Sequence, residues 1–166
     1  MKMKKLFKKL AVISLASLAA CGGGGDSSGS FSLPYSITLR AEKNQLPLNV
    51  NNNLPAIGAG AINTTTLYVE ARQGDAPIPG GTEVFACNLV QGLDFGDLYY
   101  LDGDSAHEDE NKLPKAYRSV TLGANAGVAS FHFHAGDLRG TSRITCTVTD
   151  PRDKQVRSAS VDIVVF

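Results

Sequence analysis

Apolar residues recur at every second position in six segments of the chain beyond residue 35, and this alternation constrains the fold more than any other feature. Ile37 and Leu39, for example, alternate with Ser36, Thr38 and Arg40. Successive side chains on a β-strand point to opposite faces, so a period of two predicts strands with one buried face. The same alternation is found at residues 67–71, 85–89, 129–134, 143–149 and 161–165.

Turn-forming sequences separate these segments, and no stretch combines helical periodicity with helix caps. The turns are rich in Gly, Pro, Asn and Asp, which favour tight changes of chain direction. They lie at residues 74–81, 123–127, 136–137 and 150–153. Short strands at this spacing without helices predict an all-β sandwich or barrel.

The formal net charge of zero is a sum over two unlike parts of the chain. Residues 1–20 hold five lysines and no acid, whereas residues 21–166 hold 11 basic and 16 acidic side chains, a net charge of −5. The lysines precede an apolar run at residues 10–20, which is the pattern of a secretory signal. A helix of that length rises only about 16 Å, well short of a ~30 Å hydrocarbon core, so a permanent transmembrane helix is disfavoured.

The end of the apolar run reads Leu18-Ala19-Ala20-Cys21. This sequence resembles the lipobox of bacterial lipoproteins. The resemblance implies that the Cys21 thiol receives a diacylglyceryl group, that residues 1–20 are removed, and that the new amino terminus is acylated. Gly22 rather than Asp follows the cysteine, a pattern that goes with the outer membrane in Gram-negative relatives. The alternative is an ordinary signal peptide followed by an incidental cysteine.

A glycine- and serine-rich stretch then separates the cysteine from the domain. Residues 22–30 contain five glycines and no apolar side chain, which is typical of a flexible tether. We therefore divide the chain into a signal peptide at 1–20, the lipidated cysteine and tether at 21–30, and one domain at 31–166. A body of 136 residues is large enough for a single hydrophobic core.

The order of motifs in the body resembles a bacterial immunoglobulin-like domain of the invasin/intimin (Big-1) type. The resemblance rests on a first strand at 37–41, a strand at 66–71, and a Gly-x-Pro-x-Pro-Gly-like turn at 74–80, followed by Glu83-Val-Phe-Ala86, Gly127-Val-Ala-Ser-Phe131 and a strand at 140–150. It implies an immunoglobulin-like antiparallel β-sandwich of about seven to nine strands. Two features differ from that family: the cysteines, and a long acidic segment at residues 92–117.

Cys87 and Cys146 fall on the predicted inward faces of two strands. Export places them in an oxidising compartment, and the lipid on Cys21 leaves an even number. We predict a structural disulfide between them. Two buried free thiols are the alternative, and a redox-active pair is disfavoured because the chain has no Cys-x-x-Cys spacing.

The acidic segment concentrates five carboxylates within nine residues. Such a density of oxygen ligands suits calcium, but the spacing does not match an EF-hand loop. We therefore predict a solvated loop that serves in recognition, as loops of sandwiches often do. Its carboxylates belong to Asp102, Asp104, Glu108, Asp109 and Glu110.

His132 and His134 share one face of a predicted strand. We expect them to be solvent-facing residues opposite Phe131 and Phe133, with a zinc or copper site that recruits His107 or a carboxylate as the alternative. We expect Tyr99, Tyr100 and Tyr117 to serve in ordinary packing, with an aromatic platform for sugars as the alternative. We assign no metal site and no cofactor apart from the lipid.

No catalytic motif is present: the chain lacks Gly-x-Ser-x-Gly, His-Glu-x-x-His and a phosphate-binding glycine loop. The equal totals of 16 basic and 16 acidic residues give no basic excess that would indicate a nucleic-acid partner. We predict a non-enzymatic envelope protein, held on the membrane by its lipid, that presents a binding or adhesion module to an envelope protein or ligand. The alternatives are an accessory lipoprotein of a larger envelope or secretion assembly, and an exported enzyme or carbohydrate-binding protein.

Overall fold

The part of the chain that the structure describes forms ten β-strands arranged as two facing sheets. The structure is a computed structural model and describes residues 33–78 and 83–166. The predicted signal peptide, lipobox residues Leu18, Ala19 and Ala20, lipidated Cys21 and tether lie outside these residues. The strands are β1 (Tyr35–Ala41), β2 (Gln45–Leu46), β3 (Thr64–Gln73), β4 (Ala76–Pro77), β5 (Val84–Gln91), β6 (Gly96–Tyr99), β7 (Ser119–Gly123), β8 (Val128–Ala135), β9 (Gly140–Thr149) and β10 (Val156–Val165).

The first sheet has the order β1-β3-β8-β6, with β4 on one end of β3, and the second has the order β2-β10-β9-β5-β7. Every pairing is antiparallel except that of β2 with β10. An immunoglobulin sandwich places its strands A, B, E and D in one sheet and C, F and G in the other. Here β1, β3, β8 and β6 hold the first four positions, and β5, β9 and β10 the other three. The predicted immunoglobulin-like sandwich is confirmed, with ten strands instead of about seven to nine.

The order in which β6 and β7 follow β5 along the chain is unusual for this arrangement. After β5 the chain crosses to β6 in the first sheet, returns to β7 beside β5, and crosses again to β8. Residues 100–118 make the return crossing. The acidic segment at residues 92–117 therefore contains β6, a strand that the sequence pattern did not reveal, and most of the connection from β6 to the other sheet.

The core lies between the sheets and is formed by the residues that the alternation assigned to the inner faces. Phe85, Phe131, Phe133 and Ile144 are fully buried there. Burial of such side chains supplies about 25 cal/mol per Å² of apolar surface, which is the main favourable term for folding. The short strands β2, β4, β6 and β7 escaped the sequence analysis because two to five residues are too few to display a period.

The disulfide between Cys87 and Cys146 is present in the centre of this core. The two residues are direct neighbours on β5 and β9, with 4.0 Å between their Cα atoms, and neither is exposed. In antibody domains the disulfide joins the two sheets, whereas here it joins adjacent strands of one sheet. It closes a loop spanning 59 positions of the sequence, and that loop contains all three crossings between β5 and β8.

Reduction of this bridge should lower the free energy of unfolding by roughly 4 kcal/mol, because the closed loop restricts the unfolded chain. Urea unfolding of the oxidised and reduced protein measures the difference, and intact mass should show two fewer hydrogens before reduction. Equal midpoints for the two forms, or free thiols at both positions, would contradict this account.

Candidate functional site

A groove opens between β7 and β8, two strands that follow each other in the chain but belong to different sheets. Asn125 and Val128 still exchange backbone hydrogen bonds of 2.8 and 3.1 Å across a two-residue turn. Ala126 and Gly127 in that turn have φ of 50° and 77°, the left-handed conformation that tight hairpin turns require. Beyond the turn the strands diverge, and a cavity of about 450 Å³ lies between them.

We call this cavity the interstrand groove. One wall is the edge of β7 at residues 121–123, the other is β8 at residues 128–130, and the turn with Asn125 closes one end. The side chains of Tyr100, Asp102 and His107 form the far end. The volume lies within the 300–1,000 Å³ typical of small-ligand sites.

Tyr100 fastens the connection between the sheets to the edge of β7. Its hydroxyl oxygen accepts a hydrogen bond from the Thr121 N–H at 2.9 Å and donates to the Thr121 carbonyl at 3.3 Å. Both backbone groups point away from β5, so the tyrosine hydroxyl takes the place of a neighbouring strand. Tyr100 therefore fixes the far end of the groove.

Three aromatic rings pack together beside this contact. The Tyr100 and His107 rings stack with centroids 3.7 Å apart and planes 5° apart. Tyr117 meets Tyr100 edge to face at 5.2 Å, and its backbone pairs with Leu98 through two 2.9 Å hydrogen bonds. The expectation of packing is met for all three tyrosines. Tyr99 packs apart from the other two, buried and with its ring edge to face on that of His134 at 6.0 Å.

Asp102 places a carboxylate at the groove. Its two oxygens lie 3.1 and 2.9 Å from His107 Nδ1, and one accepts the Asp104 N–H at 3.0 Å. A carboxylate only accepts, so His107 Nδ1 carries the hydrogen. Partial burial alone would raise the pKa of Asp102, but the hydrogen bonds from Asp104 and His107 lower that pKa below its ordinary value. Asp102 is therefore ionised at neutral pH.

The other predicted recognition residues do not line the groove. Asp104 accepts the Ala106 N–H at 2.9 Å, and Asp109 accepts the N–H groups of Asn111 and Leu113 at 2.8 and 2.9 Å. The backbones of Glu108 and Pro114 form a bridge, and Glu110 is exposed. These bonds give the acidic segment a defined shape, and hydrogen bonds from the backbone, chiefly that of Leu113, lower the pKa of Asp109.

The expectation that His132 and His134 face solvent is wrong. Both side chains lie on the face of β8 opposite to that of Phe131 and Phe133, as expected, but their exposed fractions are only 5% and 7%. Residues 47–63 fold against this outer face of the first sheet and contribute Asn49 and Asn53 to contacts with His134. Sequence reasoning missed this cover, for which the only signal was a run of Asn, Pro and Gly without alternation.

His134 belongs to a buried hydrogen-bond network. Its Nε2 lies 2.9 Å from the Asn53 carbonyl, and its Nδ1 lies 2.8 Å from the Thr64 hydroxyl. Asn49 Nδ2 lies 2.8 Å from the same Nε2, so both ring nitrogens make polar contacts. Asn53 Nδ2 donates to Asn63 Oδ1 at 2.9 Å, which ties the covering segment together. By contrast, the buried His132 Nδ1 has no hydrogen-bond partner among the described residues.

Two further observations concern metals and membranes. Within residues 33–78 and 83–166, no group of three His, Cys, Asp or Glu side chains is arranged to hold a metal ion. In the same part of the chain, no helix has the length and apolar character needed to cross a membrane.

Comparison with known proteins gives only remote structural similarities. No family model matches the chain, and no curated protein matches it. A CARDB domain from Pyrococcus furiosus, solved in complex with di-metal ions, has 14% identity and a TM-score of 0.36, covering 81% of this chain and 90% of that one. A conjugate transposon protein from Bacteroides vulgatus has 11% identity and a TM-score of 0.39, covering 80% and 86%. The bacterial hydrophobin BslA has 12% identity and a TM-score of 0.33, covering 81% and 97%.

Tyr100→Phe should lower the free energy of unfolding by about 1 kcal/mol, because the Thr121 N–H and carbonyl lose their partner. Tyr68→Phe is the matched control, since that ring lies under the Arg40 guanidinium, 4.1 Å from its centroid, on the outer face of the first sheet. Urea unfolding measures both variants. Equal effects of the two substitutions would contradict the role assigned to the Tyr100 hydroxyl.

Burial lowers the pKa of both His132 and His134 below the ordinary 6.5. The unfolded chain therefore binds protons at a higher pH than the folded one, and stability is lost as pH falls below about 6.5. The free energy of unfolding should decrease between pH 7.5 and pH 5.5. A His132→Gln, His134→Gln double variant should show a much smaller change over this range. A wild-type protein whose stability does not change between these pH values would refute the assignment.

Proposed function

We propose that this chain is a lipid-anchored envelope protein whose immunoglobulin-like domain is a non-catalytic binding module, and that the interstrand groove is its ligand-binding surface. The observation that carries this proposal is the groove itself, where an ionised carboxylate, an aromatic stack and two strand edges surround about 450 Å³. Sites that bind ligands combine such a concavity with a few placed polar groups.

The anchor rests on the sequence between the lysine-rich start and the domain. Leu18-Ala19-Ala20-Cys21 stands at the end of an apolar run, as in bacterial lipoproteins, and residue 22 is glycine. A single acyl chain gives marginal binding, whereas two or more chains hold a protein on a bilayer stably. The proposed location is the cell envelope, and the outer membrane if the organism is Gram-negative.

The Big-1 relationship is part of this proposal. Its motifs fall on β1, β3, β5, β8 and β9 in the expected order. That family is non-catalytic, and the chemistry of the groove agrees with a binding role. Asp102 is ionised and already accepts hydrogen bonds from His107 and Asp104, so it offers a fixed negative charge more readily than a proton.

Growth with an alkyne-tagged fatty acid tests the anchor directly. The wild-type protein should carry the tag and partition into detergent, whereas Cys21→Ala should lose the tag. The Cys87→Ala, Cys146→Ala double variant, which keeps Cys21, is the control and should retain the tag. A tag that persists in Cys21→Ala would overturn the proposed lipidation.

A second candidate function is that of an accessory lipoprotein docked on a larger envelope assembly. Exposed apolar side chains at one end of the sandwich favour it: Val50, Leu54, Ile57 and Ile62 are 55–67% exposed. These side chains lie near the start of β3. Leu33, the first described residue, lies near the end of β3, at the opposite end of the same sheet. The two ends of β3 are about 30 Å apart at ~3.3 Å per residue. A photo-crosslinker at Ile57 should then capture one discrete partner in the native envelope, and one at Ser36 should not.

A further inference from the structure

One strand edge in the interstrand groove has backbone groups without partners. At the end of β8, the Ala135 N–H donates to the backbone carbonyl of Asn63 on the β3 side. The Gly136 N–H donates to the backbone carbonyl of Phe95 on the β6 side, and both distances are 2.8 Å. Backbone groups of alternate residues face alternate neighbours in a strand. Ser130, like His132, therefore faces the side of β6.

The strand that would satisfy Ser130 ends too early. Tyr99 is the last residue of β6 and lies opposite His132. In an antiparallel ladder the residue opposite Ser130 would be Leu101, but Leu101 has a φ of 51° and the chain turns away there. Ser130 is exposed in the groove, and its N–H and carbonyl have no partner among the described residues.

The facing wall is also open. The Ala124 N–H donates to Glu83 at 2.9 Å on the β5 side, so Gly123 faces the groove by the same alternation. Gly123 has no atom within 4 Å of the position that a Cβ would take. Gly123 and Ser130 both line the cavity of about 450 Å³, so space exists between them for an added chain.

The charge around the groove indicates which chemical group an added ligand segment should carry. Asp102 stands at the far end of the groove, and its side chain keeps 45% of its exposure while remaining ionised. The body from residue 21 onward has a net charge of −5. Both observations favour a cationic ligand group.

We propose that the groove binds an extended peptide segment, which adds to β8 at Ser130 in the line of β6 and places a Lys or Arg side chain against Asp102. Strand addition satisfies unpaired edge groups and takes its specificity from side-chain contacts. The inference rests on the proposed binding function and names its ligand class. A sugar fits less well, because His107 already covers one face of Tyr100 by stacking at 3.7 Å.

The test uses the protein purified from cells in detergent micelles and a fluorescent peptide, acetyl-Ser-Val-Thr-Lys-Val-Thr-Ser-amide. A second peptide has Glu in place of Lys. Two more carry an N-methyl group, one on the Lys amide and one on the following Val amide, because consecutive N–H groups face opposite sides of a strand. A neutral oligosaccharide serves as the competing ligand class.

The Lys peptide should bind, and its binding should shift the Ser130 amide resonance. One of the two N-methyl peptides should bind at least tenfold more weakly, since it loses a backbone hydrogen bond and adds a clash. Asp102→Asn should weaken the Lys peptide about fivefold, the effect of one partly exposed ion pair. The matched control Asp137→Asn, at an exposed acid in the turn after β8, should leave the affinity unchanged.

Three results would overturn the inference: no binding of the Lys peptide, equal binding of both N-methyl peptides and the parent, or binding of the oligosaccharide alone. The peptide measurement does not depend on where the protein resides in the cell. Its failure would therefore leave the lipid anchor, which fatty-acid labelling tests, unaffected.

Discussion

The divergence of β7 and β8 into different sheets is the constraint on which the rest of the site depends. Two antiparallel strands joined by a two-residue turn would ordinarily pair along their whole length. Here β7 pairs with β5 and β8 pairs with β3 and β6, so only Asn125 and Val128 remain joined. Close contacts hold the turn in place, since a Cβ on Gly127 would lie 2.8 Å from the Ala71 carbonyl oxygen.

The connection between β6 and β7 compensates for this divergence in part. The Tyr100 hydroxyl hydrogen-bonds the backbone of Thr121 on β7. This contact closes the gap between β7 and β8 next to the Tyr99–His132 pair. One step further along β8 the gap stays open at Ser130. The same connection carries Asp102 and His107, so a single segment both limits the groove and supplies its charge.

The fold was largely predictable because its long strands alternate cleanly. The inward positions on β3, β5, β8 and β9 follow directly from a period of two, and the disulfide follows from two inward cysteines together with the predicted export. β6 was not predictable, because Gly-Asp-Leu-Tyr is too short to show a pattern. The burial of His132 and His134 was missed for another reason: alternation assigns a residue to a face of the sheet, and a distant segment decides whether that face is covered.

The candidate site, like the fold, was predictable from the sequence only in part. Asp102 drew attention as one of five neighbouring carboxylates, but the sequence does not distinguish it from Asp104 or Asp109. The distinction arises when the chain folds. All three accept backbone N–H groups of their own loop, and Asp102 in addition contacts the His107 ring beside Tyr100. Ser130 carries no sequence signal, since its importance lies in an unpaired backbone that only topology reveals.

Amide hydrogen exchange on the free protein tests the open strand edge most directly. The Phe131 and His132 amides pair within the sheet and should exchange slowly, whereas the Ser130 amide between β8 and the groove should exchange much faster than either. Protection of Ser130 equal to that of His132 would show that the edge is already paired, and would contradict the account of the groove.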